Sequence, residues 1–542
     1  MICSETLLKA ENSPTKIART GNLTAKEEFS AGLRRWELAS ALGCLLLALY
    51  SAAYPLYRTF FPVEVSYNEG WNIYNAWMVA HHIPLYGSAA SWTTVNYPGL
   101  SFWLIAQLSR LTHDYLYTGR ALSLLGLAAS ALFTGLIVRR LTRDRLASVL
   151  AALICVALFC SVGDFYVGAD DPQLLSQAFF VGGLMVYVLR RESDMAVATA
   201  ALLFAVGGSI KHNQIDFPLA VGVDLWLMSR RRARKYFLLL AGLGALVVWA
   251  NTAFGGHYFL QRLLTPRSYS VMHLLDQLGD YYPTLLIPFV AACAAAVRAW
   301  RNQQTRVIAI FFAISLPLGL FFSGGVGVWF NAYFSNTLAM AILLGLGLHW
   351  VRQMQLPEWN AAPYWRAGIP LVFFLWMLIP MACNDILSLP ASVRKVRAQN
   401  EQMRRQVELL RSQPGPVLCE SLLRCYLAGK PYIYDPFNST SLVRAGRLNA
   451  QTLVQQVQQQ KYGAIEMYHH PDAKGRPVAK PERFVDDILL AAANSYQVVQ
   501  SEKDCTIYLP KKSATLAAAK IENSGEQPAK QTSNARVVPS LR

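Results

Sequence analysis

The chain has 542 residues, of which 54% are Ala, Val, Ile, Leu, Met, Phe, Trp, Tyr or Cys and only 15% are Asp, Glu, Lys or Arg. Soluble domains average about 45–50% apolar and about 25% charged residues. This composition, with a mean hydropathy of +0.26, therefore excludes a disordered chain, a disulfide-rich secreted domain and a purely cytosolic enzyme. The net charge of +17 falls in tracts between apolar runs, which is the pattern of topology anchors in a membrane protein rather than of a nucleic-acid surface.

Residues 1–36 are polar and lack a cleavage-site pattern, so the apolar run at 37–57 reads as a retained anchor. Further spans of roughly 20 residues are predicted at 119–138, 146–163, 172–189, 194–210, 213–229, 236–254, 281–297, 307–323, 331–350 and 367–387, eleven in all. The segment 98–112, PGLSFWLIAQLSRLT, is apolar but short and opens with Pro98-Gly99. Charge decides its placement. With 98–112 lying in the membrane surface or re-entering it, 22 Lys and Arg gather on the side of the N-terminus, against about six on the other side before residue 388. A twelfth span would reverse every later tract and break the positive-inside bias. The expected topology is N-in and C-out in a bacterial-type inner (plasma) membrane. The non-cytoplasmic face then carries the loops 58–118, 164–171, 211–212 and 255–280 and everything after 388, and chemistry is expected there.

From 388 to 510 the chain is soluble in character. A charged helical stretch (391–412) precedes PVLCES, YIYDPF, a Gln-rich helical run from Leu448 to Lys461, AIEMY, a helix from Pro481 to Tyr496 and a hairpin VVQSEKDCTIYL. Alternating short strands and helices predict a small α/β domain, and 511–542 reads as a disordered tail. Of the nine cysteines, Cys44, Cys155, Cys160, Cys293 and Cys383 lie in or near apolar runs and read as small apolar residues. Cys419, Cys425 and Cys505 could supply one disulfide in an oxidising compartment, with the pairing left open.

Three clusters on the outer face could carry chemistry. Glu69 follows the first span and precedes an amphipathic stretch with Trp71, Tyr74, Trp77 and Met78. An interfacial aromatic belt explains most of those rings. In GDFYVGADDPQLLSQ, Asp164, Asp170 and Asp171 precede the fourth span; helix capping before proline is the ordinary reading. Two convergent acids on one face can also activate a hydroxyl or hold a divalent cation, and the cofactor question is left open. Lys211, His212 and Asn213 occupy a short external turn, where Lys211 could merely snorkel or could meet a phosphate on a lipid carrier. Arg262 and Arg267 could share that role.

YNEGW, NYPGLSFWL about thirty residues on, RALSLLG, DDPQLL and KHN stand in this order within residues 37–350. The set resembles the membrane glycosyltransferases of the GT-C fold, which include the lipid A aminoarabinose transferases, the protein O-mannosyltransferases and the rhizobial core-sugar transferases. The resemblance implies an all-α polytopic membrane domain of GT-C type with the small α/β domain appended. It also implies an inverting transfer of a sugar from a polyprenyl-phosphate donor to a hydroxyl acceptor (lipid, glycan or protein). By position Glu69 matches the second acid of the family's Asp-Glu pair, as base or acceptor-orienting group, and Asp171 matches the acid before proline, with Asp170 as the fallback. Asn68 stands where the first acid is usual. Tyr97, before Pro98, stands where several relatives carry a basic residue, which shifts the expected phosphate contact towards Lys211, His212 or the 255–280 loop. The competing reading is a transporter or lipid flippase, but no internal repeat is visible and most charges sit at span ends.

Overall fold

The structure, a computed structural model, describes residues 14–88, 91–265, 267–354 and 362–511. The tail expected beyond Lys511 and the first thirteen residues lie outside the described residues. The chain divides into two units, 1–405 and 406–542.

The first unit is helical. Helix α1 (Pro14–Arg58) leads to α2 (Asn68–Ala80) and α3 (Leu100–Thr112), then to α4 (Tyr115–Thr142), α5 (Arg145–Val162), α6 (Gln173–Leu189), α7 (Asp194–Ile210), α8 (Asp216–Met228) and α9 (Arg230–Ala250). There follow α10 (Phe259–Leu263), α11 (Val271–Tyr281), α12 (Leu286–Trp300), α13 (Arg306–Ser323), α14 (Phe334–Gln353), α15 (Ala362–Trp376), α16 (Leu378–Cys383) and α17 (Leu389–Ser412), which carries the chain into the second unit. Among the described residues eight helical segments are long and apolar enough to cross a membrane, so the chain is an integral membrane protein. The other three expected spans are shorter helices: α6 and α7 of 17 residues each and α8 of 13.

Polar side chains set several helix starts by accepting N–H groups that have no intrahelical partner. Asp114 accepts from Tyr117, Asp144 from Leu146 and Ala147, and Ser229 from Arg232. Two expectations change. The loop at 255–280 contains α11, started by Ser270 accepting the His273 N–H, and α11 runs through a short turn into α12 as one 30-residue apolar segment. The span at 367–387 is two helices, α15 and α16, divided at Met377. Segment 98–112 forms α3, whose 13 residues are too few for a full crossing.

Helix α4 packs closely on α6 and α5, and Gly126 shows how closely. A Cβ there would lie 2.5 Å from the Leu174 carbonyl carbon, so only a residue without a side chain lets the backbones meet. Far along the chain from the acidic loops, Asp224 of α8 takes hydrogen bonds from Tyr187 (2.6 Å) and Arg191 (2.5 Å) and pairs with Arg306 (3.4 Å). That buried knot ties α6, α8 and α13 together.

The second unit carries a four-stranded sheet in the order β1-β2-β4-β3, with β1 (Val417–Cys419) parallel to β2 (Ala464–Met467). Strands β3 (Tyr496–Glu502) and β4 (Cys505–Pro510) form the expected hairpin, β4 pairing antiparallel with β2. Helices α18 (Leu422–Leu427), α19 (Pro436–Arg444), α20 (Gln451–Gln458) and α21 (Asp486–Ser495) complete an α/β unit. YIYDPF forms no strand, because Asp435 caps α19 by accepting the Asn438 N–H. The buried Arg424 donates to Glu466 (2.9 Å), Gln406 (3.0 Å) and Asp504 (3.2 Å). Cys419 and Cys425 form the disulfide, leaving Cys505 a free, buried thiol.

Candidate active site

Glu69 lies in the first turn of α2 and is fully buried. Its Oε1 accepts from Arg120 Nε at 2.7 Å and from the Asp170 N–H at 3.0 Å; its Oε2 accepts from Arg120 Nη2 at 2.9 Å and from the Val65 N–H at 2.7 Å. A carboxylate offers about four lone-pair sites, and all are used. Arg120, on α4, spends its other N–H groups on the carbonyls of Thr59 (3.0 Å), Phe61 (2.5 Å) and Val63 (2.7 Å). This pair fastens the chain leaving α1, the start of α2 and the 164–172 loop to one point on α4. The opening of that loop has a second anchor, since Asp164 pairs with Arg58 at 3.1 Å.

Asp171 sits at the head of α6, where its Oδ1 accepts from the Gln173 N–H (2.8 Å), as the capping reading expects. The same oxygen accepts from Lys211 Nζ (3.0 Å), and Oδ2 accepts from Asn68 Nδ2 (2.9 Å). An acid at position 68 would face Asp171 with like charge; the amide of Asn68 donates instead. Lys211 is buried, and burial alone would favour its neutral amine. Asp171 and Tyr97 outweigh that and raise its pKa. Its ammonium lies 4.9 Å from the ring centre of Tyr97 and 6.0 Å from that of Tyr166, within cation–π reach.

Asp170 lies between the two pairs. Its carboxyl packs on Gly119, where a Cβ would stand 2.0 Å from Oδ1. Burial first, then the charges of Glu69 and Asp171, push its pKa well above the ordinary carboxyl range. The centre therefore holds two ion pairs with a third carboxyl between them whose environment favours the protonated form.

The remaining expected residues divide. Tyr97 is half-buried, edge-on to Trp71 (5.2 Å) and 6.4 Å from the His212 ring. His212 is exposed, yet desolvation by the chain around it, then the charges of Arg267 and Lys211, push its imidazole down to about 4. Asn213 is half-buried, with its Oδ1 lacking a hydrogen-bond donor. Arg267 is exposed, and its charge reaches His212 and Tyr166. Arg262 is drawn away from this group: it is buried and donates to the Ser88 carbonyl at 2.7 Å, holding the loop between α2 and α3. Sequence reasoning missed Arg120, although it stands in the RALSLLG motif and is one of few cations on its side. It also missed Asn331, which accepts from Tyr166 Oη (3.0 Å) and donates to Gln173 Oε1 (3.2 Å).

Glu69 spends its oxygens on Arg120 and two backbone N–H groups, and Asp171 accepts from Lys211, Asn68 and the Gln173 N–H while Oδ2 keeps one lone pair. Among the described residues no group of three or more His, Cys, Asp or Glu is placed to hold a metal. A groove of about 570 Å³ lies alongside, lined by Ile83, Leu100, Trp103, Leu246, Val247 and Phe254 among others. Gly99 and Ser209 also line it, and each is two residues from a member of the Tyr97–Lys211 contact.

No protein-family model matches the chain and no curated protein matches its sequence. Solved structures do. ArnT from Cupriavidus metallidurans bound to undecaprenyl phosphate superposes with a TM-score of 0.53 at 14% identity, over 84% of this chain and 97% of that one. The same protein in the apo state gives 0.56 at 12% identity, over 86% and 97%. The archaeal oligosaccharyltransferase AglB from Archaeoglobus fulgidus, in complex with an inhibitory peptide and a dolichol-phosphate, gives 0.51 at 10% identity, over 80% and 69%. With these backbones in common and the polytopic helical unit described above, the chain has the GT-C fold that the ArnT and AglB structures share.

Proposed function

We propose that this protein is an integral-membrane glycosyltransferase that moves a sugar from a polyprenyl-phosphate donor to a hydroxyl acceptor on the non-cytoplasmic face. One observation carries the reading: a buried carboxylate–lysine pair, Asp171 and Lys211, stands beside an apolar groove in a GT-C fold. The groove suits a lipid tail, and the cations Lys211 and Arg267 suit the phosphate that the tail bears. ArnT and AglB structures hold undecaprenyl phosphate and a dolichol-phosphate, which supports the same donor class. The basic tracts of the sequence support a cytoplasmic N-terminus with the site on the opposite face.

In the transfer, the acceptor hydroxyl attacks the anomeric carbon from the face opposite the phosphate. A bond forms from that carbon to the acceptor oxygen, the bond to the phosphate oxygen breaks, and the anomeric configuration inverts. The acceptor proton passes to a carboxylate, and the phosphate leaves with the electron pair of the broken bond. Asp171 fits the base, since its Oδ2 takes one donor and keeps a lone pair. Glu69, by position the base or acceptor-orienting group, accepts from four donors, which makes it a positioning residue. Lys211 and Arg267 stabilise the departing phosphate, and neutral His212 can donate a hydrogen bond to it.

The test is release of free carrier. Membranes containing the protein, supplied with undecaprenyl-phosphoryl sugars, should form undecaprenyl phosphate in a reaction that Asp171→Asn slows by about 10²–10⁴-fold. Movement of intact donor across the bilayer without carrier release would replace the transferase by a flippase.

A further inference from the structure

Beside the Asp171–Lys211 pair lies a set of buried amides that the mechanism above does not use. Gln173 and Gln177 of α6 are fully buried and Gln214 is 2% exposed. Gln177 and Gln214 have neither amide atom hydrogen-bonded, and Gln173 has its Nε2 unpartnered. Buried polar groups are nearly always satisfied, and one at membrane depth costs more than the leucine that could replace it. Five orphaned amide atoms on two adjoining segments therefore call for partners from outside the chain.

Their place is fixed by what surrounds them. The Gln173 N–H is on Asp171, and its Oε1 takes a hydrogen bond from Asn331, which in turn holds Tyr166 beside Lys211. Gln177 follows one turn later on the same face of α6. Ser176 donates to the Lys211 carbonyl at 3.2 Å, which seats this turn of α6 against the 211–215 segment. The rings of Phe180 and Phe217 meet at 5.5 Å, so the first turn of α8 packs on α6 one turn beyond Gln177.

The chemistry of the ligand follows from the donors and acceptors. Primary amides offer two N–H groups and two lone pairs without charge. A phosphate would call for cations, and a lipid tail for apolar walls. Paired hydroxyls, each both donor and acceptor, match an amide on both counts. We infer that Gln173, Gln177 and Gln214 form a subsite that reads the hydroxyls of the donor's sugar, one helical turn from the Asp171–Lys211 pair. The inference rests on the polyprenyl-phosphate-sugar reading and extends it to sugar recognition.

Native mass spectrometry of the detergent-solubilised full chain tests it, using undecaprenyl phosphate and a panel of undecaprenyl-phosphoryl glucose, galactose, mannose, N-acetylglucosamine and aminoarabinose. Wild type should bind at least one glycosylated donor more tightly than the bare carrier. Gln177→Leu and Gln214→Leu should each erase that gain, by roughly tenfold per amide, while binding bare undecaprenyl phosphate as wild type does. That retained binding also shows that the variants are folded. A variant that loses the bare carrier as well is replaced by the conservative Gln→Met change, scored the same way. Leucine variants that keep the sugar-dependent gain, or a wild type that shows none across the panel, overturn the subsite and leave the amides to water. Absence of all binding by wild type, bare carrier included, instead overturns the donor class.

Discussion

At the scale of single residues, two carboxylates with similar sequence credentials end in different positions. Glu69 is saturated by Arg120 and two backbone N–H groups, whereas Asp171 keeps a lone pair and faces a lysine. Glu69→Gln leaves the Arg120 guanidinium buried without its counter-charge, a change that costs about 3–5 kcal/mol. It should lower the thermal-aggregation midpoint in detergent and reduce carrier release together. Asp171→Asn strands Lys211 in the same way, but the double variant Asp171→Asn/Lys211→Met removes the stranded charge. Its thermal midpoint should return towards wild type while transfer stays absent; recovered transfer would remove Asp171 from the mechanism. Burial and the charges of Glu69 and Asp171 favour a neutral side chain at Asp170, so Asp170→Asn should keep most of the transfer that Asp171→Asn loses. His212 supplies a pH test. Its pKa falls from the usual 6.5 to about 4, so folding favours the neutral ring. That contribution is fully present above pH 6.5 and is lost as pH falls towards 4. The midpoint of wild type should therefore drop more steeply across this window than that of His212→Gln. The sequence made Glu69 and Asp171 legible as a pair, because acids at span ends are expensive and visible. It could not show that Arg120, fifty-one residues from Glu69, would take both of Glu69's oxygens, since partner choice between distant segments is a property of packing.

At the scale of elements, the site depends on how near α4 comes to the 164–172 loop and to α6. Two glycines set that approach. Gly119→Ala would drive a methyl group into the Asp170 carboxyl and displace the turn that presents Asp171, so transfer should fall. Gly126→Leu would force α4 off the α6 backbone at Leu174, with a loss of thermal stability in detergent of the kind overpacking brings, about 1–3 kcal/mol. Retained stability and transfer in both variants would show that α4 can move without cost. Each of the eleven predicted spans has a helical counterpart, because length and apolarity are local signals. The short helices inside the long loops are harder to read. Ser270 gives α11 its cap, yet its apolar residues run on into α12 and hide the boundary. In the second unit, AIEMY reads as a strand by its apolar run, with Ala464–Met467 buried throughout, and the hairpin's first strand alternates, whereas the Asp435 cap and Pro436 make YIYDPF a helix start.

At the scale of the whole molecule, composition announced a membrane protein and the ordered motifs announced a fold, and the 84–86% coverage by ArnT structures bears out the GT-C architecture where sequence identity alone does not. The fold supplies a helical scaffold in which a lipid-borne donor can arrive by lateral diffusion. The particular loops supply a centre of paired charges with cations beside an apolar groove. The central claim is that this centre works on a polyprenyl-phosphate-sugar. Native mass spectrometry of the detergent-purified Asp171→Asn protein tests it most directly, because a stalled transferase should retain its donor. A bound species with the mass of a polyprenyl phosphate bearing one sugar, displaced by added undecaprenyl phosphate, is the expected result. Only ordinary phospholipid, with no gain when undecaprenyl-phosphoryl sugars are supplied, would contradict it.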